Sequence, residues 1–261
     1  IDLLVLKKAK SMGFKVVATV HDVNAFDKSS SSSIEQKCYK LIDGIIVHNQ
    51  SSFDDLQKKD LPIKKWTIIP HGNYKPFIEE IKSSDKINPE FTLLFFGQIK
   101  KVKGLDILLD ALYRTKQKGY NIRLIIAGKA WKDDLAYYEN QITSLSLNED
   151  VETHFRYIPD NEVASFYEKA DLVVLPYTEI YQSGVLLLTM SYGKPVLTSD
   201  LEAFQEIISD GISGFVFKNK DSEALSNKII EIVAQAKHII DTDYDWIMIG
   251  RKTKEFYKLI E

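Results

Sequence analysis

Ser183 and Gly184 begin a run with the apolar pattern of a buried helix, directly after a strand and a loop. The N-terminus of a helix presents N–H groups without intrahelical partners and a partial positive charge, and both suit a phosphate. Ser183 can cap that turn, and Gly184 can let a ligand approach the backbone. An ordinary capped helix is the more frequent explanation of such a pair, so the phosphate hypothesis depends on its surroundings.

A basic loop that follows the strand ending at Gly97 is a second feature with suitable chemistry. Its lysines are Lys100, Lys101 and Lys103. Lysines at a strand end can reach a diphosphate, although a solvated basic loop is the alternative. Gly128 and Lys129 end another strand, and His21 ends a strand near the N-terminus, where a lone histidine is usually incidental. Together the four places indicate a site for an anionic ligand in a cleft between two α/β units.

The elements that would position these residues alternate between strands and helices, and the strands are rich in Val and Ile on both faces. This pattern predicts an α/β fold, a Rossmann-like parallel sheet with helices on both faces, whose ligands bind outside the carboxyl ends of the strands. The predicted strands are 16–20, 44–48, 66–69, 91–96, 122–127, 151–155, 172–175, 195–198 and 214–216. The predicted helices are 2–12, one starting at Ser51 and Ser52, 105–118, 133–145, 161–170, 183–192, 202–208, 221–236 and 243–260. The serine-rich stretch 26–36 is predicted to be a mobile loop.

A stretch rich in proline and charge at 70–90 is typical of an interdomain linker. We therefore expect a partial N-terminal, acceptor-side Rossmann-like domain at 1–75 and a nucleotide-sugar-binding Rossmann-like domain at 76–242. A C-terminal helix at 243–261 should carry an apolar stripe and pack back toward the first domain. Because the chain starts at Ile1 and its first part has only about three strands, we expect N-terminal sequence to be missing.

Composition excludes several classes of protein. The net charge of −3 gives no basic excess, so no nucleic-acid partner is expected. The single Cys38 excludes an intramolecular disulfide and suggests a reducing compartment. No apolar run reaches the ~18 residues of a membrane span. A G-x-G-x-x-G sequence follows none of the strands, which argues against a dehydrogenase. The Asp-x-Asp sequence at 241–243 precedes the last predicted helix, so helix capping explains it better than a metal site.

The motifs, in order along the chain, resemble those of retaining glycosyltransferases of the GT-B fold, family 4, also called glycosyl transferases group 1. The matching segments are "ATVHD", "GIIVHNQSS", "TIIPHG", "LLFFGQIKKVKGLDILLDAL", "LIIAGK", the region 157–217 and "DGISGFVF". Of these, 157–217 is the most specific. The resemblance implies two Rossmann-like domains, with the sugar donor held by the C-terminal one.

The resemblance also implies roles for particular residues. The helix that starts at Ser183 would hold the diphosphate of the donor, and Lys103 would offset the charge that grows on the leaving phosphate. The catalytic residues would be His21, Lys103 and Glu179, and no metal is expected. The substrate-binding residues would be Gly97, Gln98, Lys100, Arg156, Tyr157, Ile158, Gln182, Ser183, Gly184 and Val185. For Arg156, a structural ion pair at the strand end is an equally good interpretation.

The chain departs from the family pattern at two glutamate positions and one arginine position. Many members carry two glutamates eight residues apart around this helix, and aligning on 193–195 puts Ile180 and Leu188 there. Glu179, one residue early, can serve for the first glutamate, but the usual ribose contact of the second is absent or made differently. Gln98 stands where the family often has arginine, whereas Lys103 matches the family lysine.

The expected activity is therefore metal-independent transfer of a sugar, with retention, from a UDP- or GDP-sugar to a saccharide or lipid-linked acceptor. The expected setting is bacterial polysaccharide or glycoconjugate biosynthesis in the cytoplasm, at or near the inner face of the membrane, with no cofactor. Peripheral membrane association and self-association are compatible with this expectation. The alternatives are a non-catalytic nucleotide or sugar-nucleotide binding module and a GT-B epimerase.

Overall fold

A computed structural model describes residues 2–21, 23, 32–59, 61–78, 90–130, 135–235 and 258. The chain divides into two compact units, one formed by Ile1–Gly72 with Asp243–Glu261 and the other by Asn73–Thr242. Both units are α/β structures with parallel sheets, which confirms the predicted fold class. Each unit is described by itself below.

The first unit contains a three-stranded parallel sheet in the order β1-β2-β3. Its elements are α1 (Leu3–Ser11), β1 (Val17–Val20), α2 (Ser32–Tyr39), β2 (Gly44–Val47), α3 (Gln50–Gln57) and β3 (Trp66–Ile68). The central strand β2 is buried at every position and pairs with both neighbours. The side chain that follows β2 is consequently placed between the ends of the other two strands.

The second unit contains a six-stranded parallel sheet in the order β6-β5-β4-β7-β8-β9. Its strands are β4 (Phe91–Phe96), β5 (Ile122–Ala127), β6 (Val151–His154), β7 (Leu172–Leu175), β8 (Val196–Ser199) and β9 (Phe215–Phe217). Its helices are α4 (Leu105–Gln117), α5 (Leu135–Ser144), α6 (Asp160–Lys169), α7 (Gly184–Ser191), α8 (Glu202–Gln205) and α9 (Ser222–Gln235), with 3-10 turns at Lys75–Phe77 and Lys101–Lys103.

The core of the second unit explains why the strands are apolar on both faces. β7 and β8 are buried at all four of their positions, because helices cover both sides of the sheet. On one face α4 packs beside α9, and the buried hydroxyls of Thr115 and Ser226 meet at 2.9 Å between the two helices. This rigid sheet fixes the positions of the loops at its carboxyl edge.

The first unit differs from the sequence prediction at two helices. Residues 32–36, expected in a mobile loop, begin α2, because Cys38 and Tyr39 lie on a buried face of that helix and favour the helical conformation. The cap of α3 is Asn49, whose side chain accepts from the Ser52 N–H at 2.9 Å, so the helix starts at Gln50, one residue before the expected start at Ser51 and Ser52. Residues 26–31 of the expected loop lie outside the described residues. The predicted helix 243–260 also lies outside them, except for residue 258.

No helix in the described part of the chain is long and apolar enough to cross a membrane.

Candidate functional site

The strand order of the second unit creates a crevice between β4 and β7. The chain moves outward from β4 through β5 to β6, and then returns to the other side of β4 to form β7. At such a switch point the loops leaving the two central strands turn in opposite directions, and open α/β sheets bind their ligands there. The loop after β4 carries the lysines, and the loop after β7 leads to Ser183.

Glycines allow the loops around this crevice to touch. A Cβ on Gly97 would lie 3.1 Å from Val185 Cγ2, so the end of β4 contacts the first turn of α7. Gly104 has a φ of +66°, and a Cβ there would lie 1.9 Å from the carbonyl oxygen of Pro176. The basic loop therefore packs directly on the loop after β7, and only glycine fits that contact.

The N-terminus of α7 has the geometry of an anion site. Ser183 is the N-cap, and its buried Oγ accepts a hydrogen bond from the Leu186 N–H at 3.1 Å, as the sequence predicted. The earlier N–H groups of this turn, on Gly184 and Val185, are the ones a ligand can use. A Cβ on Gly184 would lie 3.0 Å from the Tyr74 hydroxyl, so contact with Tyr74 also favours glycine at this position.

Lys103 is held by an aromatic ring at this crevice. Its Nζ lies 3.5 Å from the centroid of the Tyr177 ring, within the range of a cation–π interaction. Tyr177 is fully buried, and this burial raises the pKa of its phenol. A side-chain hydrogen bond with Ser183 lowers that pKa, but by less than burial raises it. Tyr177 thus contacts both the lysine and the helix cap. The sequence analysis missed this residue, and its place directly after the strand-end Pro176 was the available signal.

The loop from 177 to 182 is tied to the basic loop on one side and to the end of β8 on the other. The Thr178 N–H donates to the Val102 carbonyl at 2.8 Å, and the Ser199 hydroxyl donates to the Tyr177 carbonyl at 2.6 Å. Within this loop Glu179 is exposed and Gln182 is half-buried. The structure therefore places both predicted sugar-contacting residues between Lys103 and α7 along the edge of the crevice.

Residues 156–158, which follow β6 after Phe155, stand at the same edge of the sheet, two strands away from β4. Arg156 is exposed and forms a two-pronged ion pair with Glu162 of α6. Tyr157 is exposed and Ile158 is buried. The ion pair that the sequence analysis gave as one interpretation of Arg156 is therefore present, with Glu162 as the partner. A contact between Arg156 and a nucleotide base stays a prediction.

His21 belongs to the first unit, where it directly follows β1. Two other histidines stand at the ends of the neighbouring strands: His48 after β2, and His71 three residues after β3. The His21 and His48 rings have centroids 4.9 Å apart, and those of His48 and His71 are 5.7 Å apart. The sequence analysis considered only His21, because the pairing of the strands that brings the three together was not known.

The structure thus brings the predicted residues of the second unit to one edge of its sheet. His21 lies in the first unit, beside His48. The predicted residues at the crevice are Gly97, Gln98, Lys100, Lys103, Glu179, Gln182, Ser183, Gly184 and Val185. Within the described ranges, no group of three or more His, Cys, Asp or Glu side chains could hold a metal ion. The cationic and N–H groups at the crevice have the chemistry to bind a diphosphate.

Comparison with known proteins identifies the class. Residues 77–252 match the family model of glycosyl transferases group 1, and residues 1–70 match the model of a glucosyltransferase 3-like N-terminal domain. The chain therefore belongs to glycosyl transferases group 1, which confirms the resemblance seen in the sequence.

Curated relatives and solved structures agree with this family. A GDP-mannose:glycolipid 4-beta-D-mannosyltransferase of Xanthomonas campestris pv. campestris is 27% identical over 188 residues, which cover 70% of this chain and 52% of the relative. A lipopolysaccharide 1,2-N-acetylglucosaminetransferase of Salmonella typhimurium is 26% identical over 220 residues, 76% of this chain and 58% of the relative. The chain thus spans about half the length of the curated relatives it matches. The crystal structure of Anabaena Alr3699/HepE in complex with UDP and glucose has a sequence 20% identical to this chain and a TM-score of 0.82. The match covers 98% of this chain and 75% of the Anabaena chain, and it shows a shared fold.

Proposed function

We propose that the protein is the donor-binding part, with a portion of the acceptor-binding part, of a glycosyltransferase that uses a nucleotide-sugar. The observation that carries this proposal is the crevice between β4 and β7, where Lys103 and the first turn of α7 are joined by Tyr177. Family membership supports it, as do a relative named for GDP-mannose and a similar fold solved with UDP-glucose. A UDP- or GDP-sugar is therefore the proposed donor.

The proposed chemistry is cleavage of the bond between the anomeric carbon and the phosphate, and formation of a bond from that carbon to an acceptor oxygen. As the nucleoside diphosphate leaves, negative charge grows on its terminal phosphate. Lys103 and the N–H groups of Gly184 and Val185 stabilise that charge, because the Tyr177 ring and the helix turn hold these donors in place before the reaction. Glu179 and Gln182 accept hydrogen bonds from sugar hydroxyls or donate to them, and the backbone at 156–158 contacts the base.

We propose further that residues 1–75 are part of the acceptor-side domain and 76–242 the donor domain, with 243–261 as a crossing helix. The match of residues 1–70 to a glycosyltransferase N-terminal domain supports the first assignment. His21 acts from the acceptor side on a sugar hydroxyl. The acceptor is a saccharide or a lipid-linked glycan, by analogy with relatives named for glycolipid and lipopolysaccharide substrates. Transfer with retention, a cytoplasmic location at the membrane face and self-association remain parts of this proposal.

A transfer assay with a panel of donors tests the proposal. UDP- and GDP-sugars are offered with and without saccharide and lipid-linked acceptors, and nucleotide binding is measured by calorimetry in parallel. Transfer supports the enzyme, and the anomeric configuration of the product, read by NMR, tests retention. Binding without transfer would instead support the nucleotide-binding module, and absence of both would contradict the proposal.

A further inference from the structure

The three histidines at the carboxyl edge of the first sheet form a connected group whose protons can be placed. We call His21, His48 and His71 the histidine cluster. His48 follows the central strand, and its Nδ1 lies 2.9 Å from the Ile69 carbonyl oxygen, while its Nε2 lies 3.2 Å from His21 Nδ1. The position of Ile69 is itself fixed, because its N–H donates to the Val47 carbonyl at 2.9 Å.

The Ile69 contact determines which nitrogen of His48 carries the proton. A carbonyl oxygen only accepts hydrogen bonds, so His48 Nδ1 must be the donor. A neutral imidazole has one N–H, and His48 Nε2 is then an acceptor. Burial lowers the pKa of His48 below its ordinary value, and the neighbouring His21 and His71 lower it further, whereas the Ile69 hydrogen bond opposes this change. The neutral form is therefore the stable one near neutral pH.

The proton of the His21 ring is fixed by its contact with His48. Because His48 Nε2 accepts, the atom that faces it, His21 Nδ1, must be the donor. We propose that His48 is a positioning residue that fixes His21 in its Nδ1–H form, so that neutral His21 presents Nε2 as a hydrogen-bond acceptor. The ligand class that such an atom recognises is a hydroxyl donor, such as a sugar or acceptor hydroxyl. The use of this atom in transfer rests on the proposed function, whereas the tautomer itself does not.

The third histidine gives a matched control within the same cluster. His71 Nδ1 lies 2.8 Å from the Gly72 carbonyl oxygen, so the Nδ1 proton of His71 has a backbone acceptor. The centroid of its ring lies 5.7 Å from that of His48, whereas the contact that places the His21 proton joins His21 Nδ1 to His48 Nε2. Removing the His71 imidazole should therefore leave the proton on His21 Nδ1, although it removes an aromatic ring from the same cluster.

Nitrogen NMR of the histidine rings tests the proposal. Long-range proton–nitrogen correlation distinguishes the two neutral tautomers, and single substitutions assign each ring. We expect His21 in the Nδ1–H form in the unsubstituted protein, in His71→Phe and in His48→Gln, whose amide oxygen can still accept. We expect His48→Phe to release His21 into a mixture of tautomers. His21 found in the Nε2–H form in the unsubstituted protein, or unchanged in a folded His48→Phe, would overturn the proposal.

Kinetics then separate this role from the proposed function. If the protein transfers sugar, His48→Phe should lower kcat by up to about 100-fold, the lower range of what one proton-accepting side chain contributes. The affinity for UDP or GDP should stay unchanged, and His48→Gln should restore most of the rate. A confirmed tautomer without any transfer would refute the function alone. A confirmed tautomer with an unaltered kcat in His48→Phe would refute the catalytic use of His21 Nε2.

Discussion

Replacement of Lys103 tests the proposed diphosphate site most directly. In the structure the ammonium group stands over the Tyr177 ring at 3.5 Å, so it is held in place before any ligand arrives. A hydrogen bond from a charged donor contributes about 1.5–3 kcal/mol. We therefore expect Lys103→Ala to raise the Kd for UDP or GDP about 10- to 150-fold. The measurement is isothermal calorimetry, with circular dichroism to confirm that the variant is folded.

Two further variants separate the causes of that loss. Lys103→Met keeps an unbranched stem on the Tyr177 ring but removes the charge, and it should bind as weakly as Lys103→Ala. Lys101→Ala removes the same charge from an exposed position on the same turn, and it should cost no more than about 1 kcal/mol. Equal losses in Lys101→Ala and Lys103→Ala would mean that the general field of the loop acts on the ligand, without a specific contact. An unchanged Kd in Lys103→Ala would remove this residue from the site.

Three other predictions concern the metal, the loop contact and the acid stability. Nucleotide binding should survive EDTA, because lysine and N–H groups meet the diphosphate charge; loss with EDTA and recovery with Mg²⁺ or Mn²⁺ would contradict this. Gly104→Ala should lower the thermal midpoint well beyond the matched Gly119→Ala, because both alanines have positive φ but only the first collides with the Pro176 carbonyl; equal shifts would refute the contact. Burial raises the pKa of Asp43, but hydrogen bonds, including that from Lys10 at 2.7 Å, outweigh it and hold the pKa below the ordinary 3.8. Its stabilisation is therefore complete above the unfolded-state pKa and lost as pH falls through the folded-state value. The thermal midpoint of Asp43→Asn should therefore fall less over that acid range than the midpoint of the unsubstituted protein. An equal fall in both proteins would argue against a stabilising pair of Asp43 and Lys10.

The sequence predicted the central strands of the second unit well. The bounds expected for 91–96, 122–127 and 172–175 are those of β4, β5 and β7, because each is a short apolar run that ends at a turn residue. Hydrophobic periodicity did not predict the start of α2, where polar residues begin the helix. The serines before α2 have loop chemistry, and only the burial of Cys38 and Tyr39 in the folded unit shows why a helix starts among them.

The arrangement of the candidate site depended on pairings that no local pattern contains. β4 and β7 are neighbours in the sheet although β5 and β6 separate them in the chain, so the crevice could not be located from strand positions alone. The contact of Lys103 with Tyr177 crosses that same gap. Motif resemblance found the lysine and the helix start, because their spacing within each loop is local. It could not find the tyrosine that joins them, because that contact is tertiary.

The link through Tyr177 has a consequence for how Lys103 and the start of α7, the two proposed anion-binding features, would act. A lysine on a flexible stem loses rotamer freedom when it grips a phosphate, and that loss opposes binding. In this protein the ring of Tyr177 already restricts the ammonium, and the hydrogen bond of the same side chain with Ser183 fixes the helix turn. Much of the ordering cost is thereby met in folding, before a ligand binds. Since Tyr177 is fully buried and its raised pKa keeps the phenol neutral, it adds no negative charge beside the site. The arrangement therefore favours a doubly anionic group that spans Lys103 and the start of α7 over a single charge that can reach only one of them.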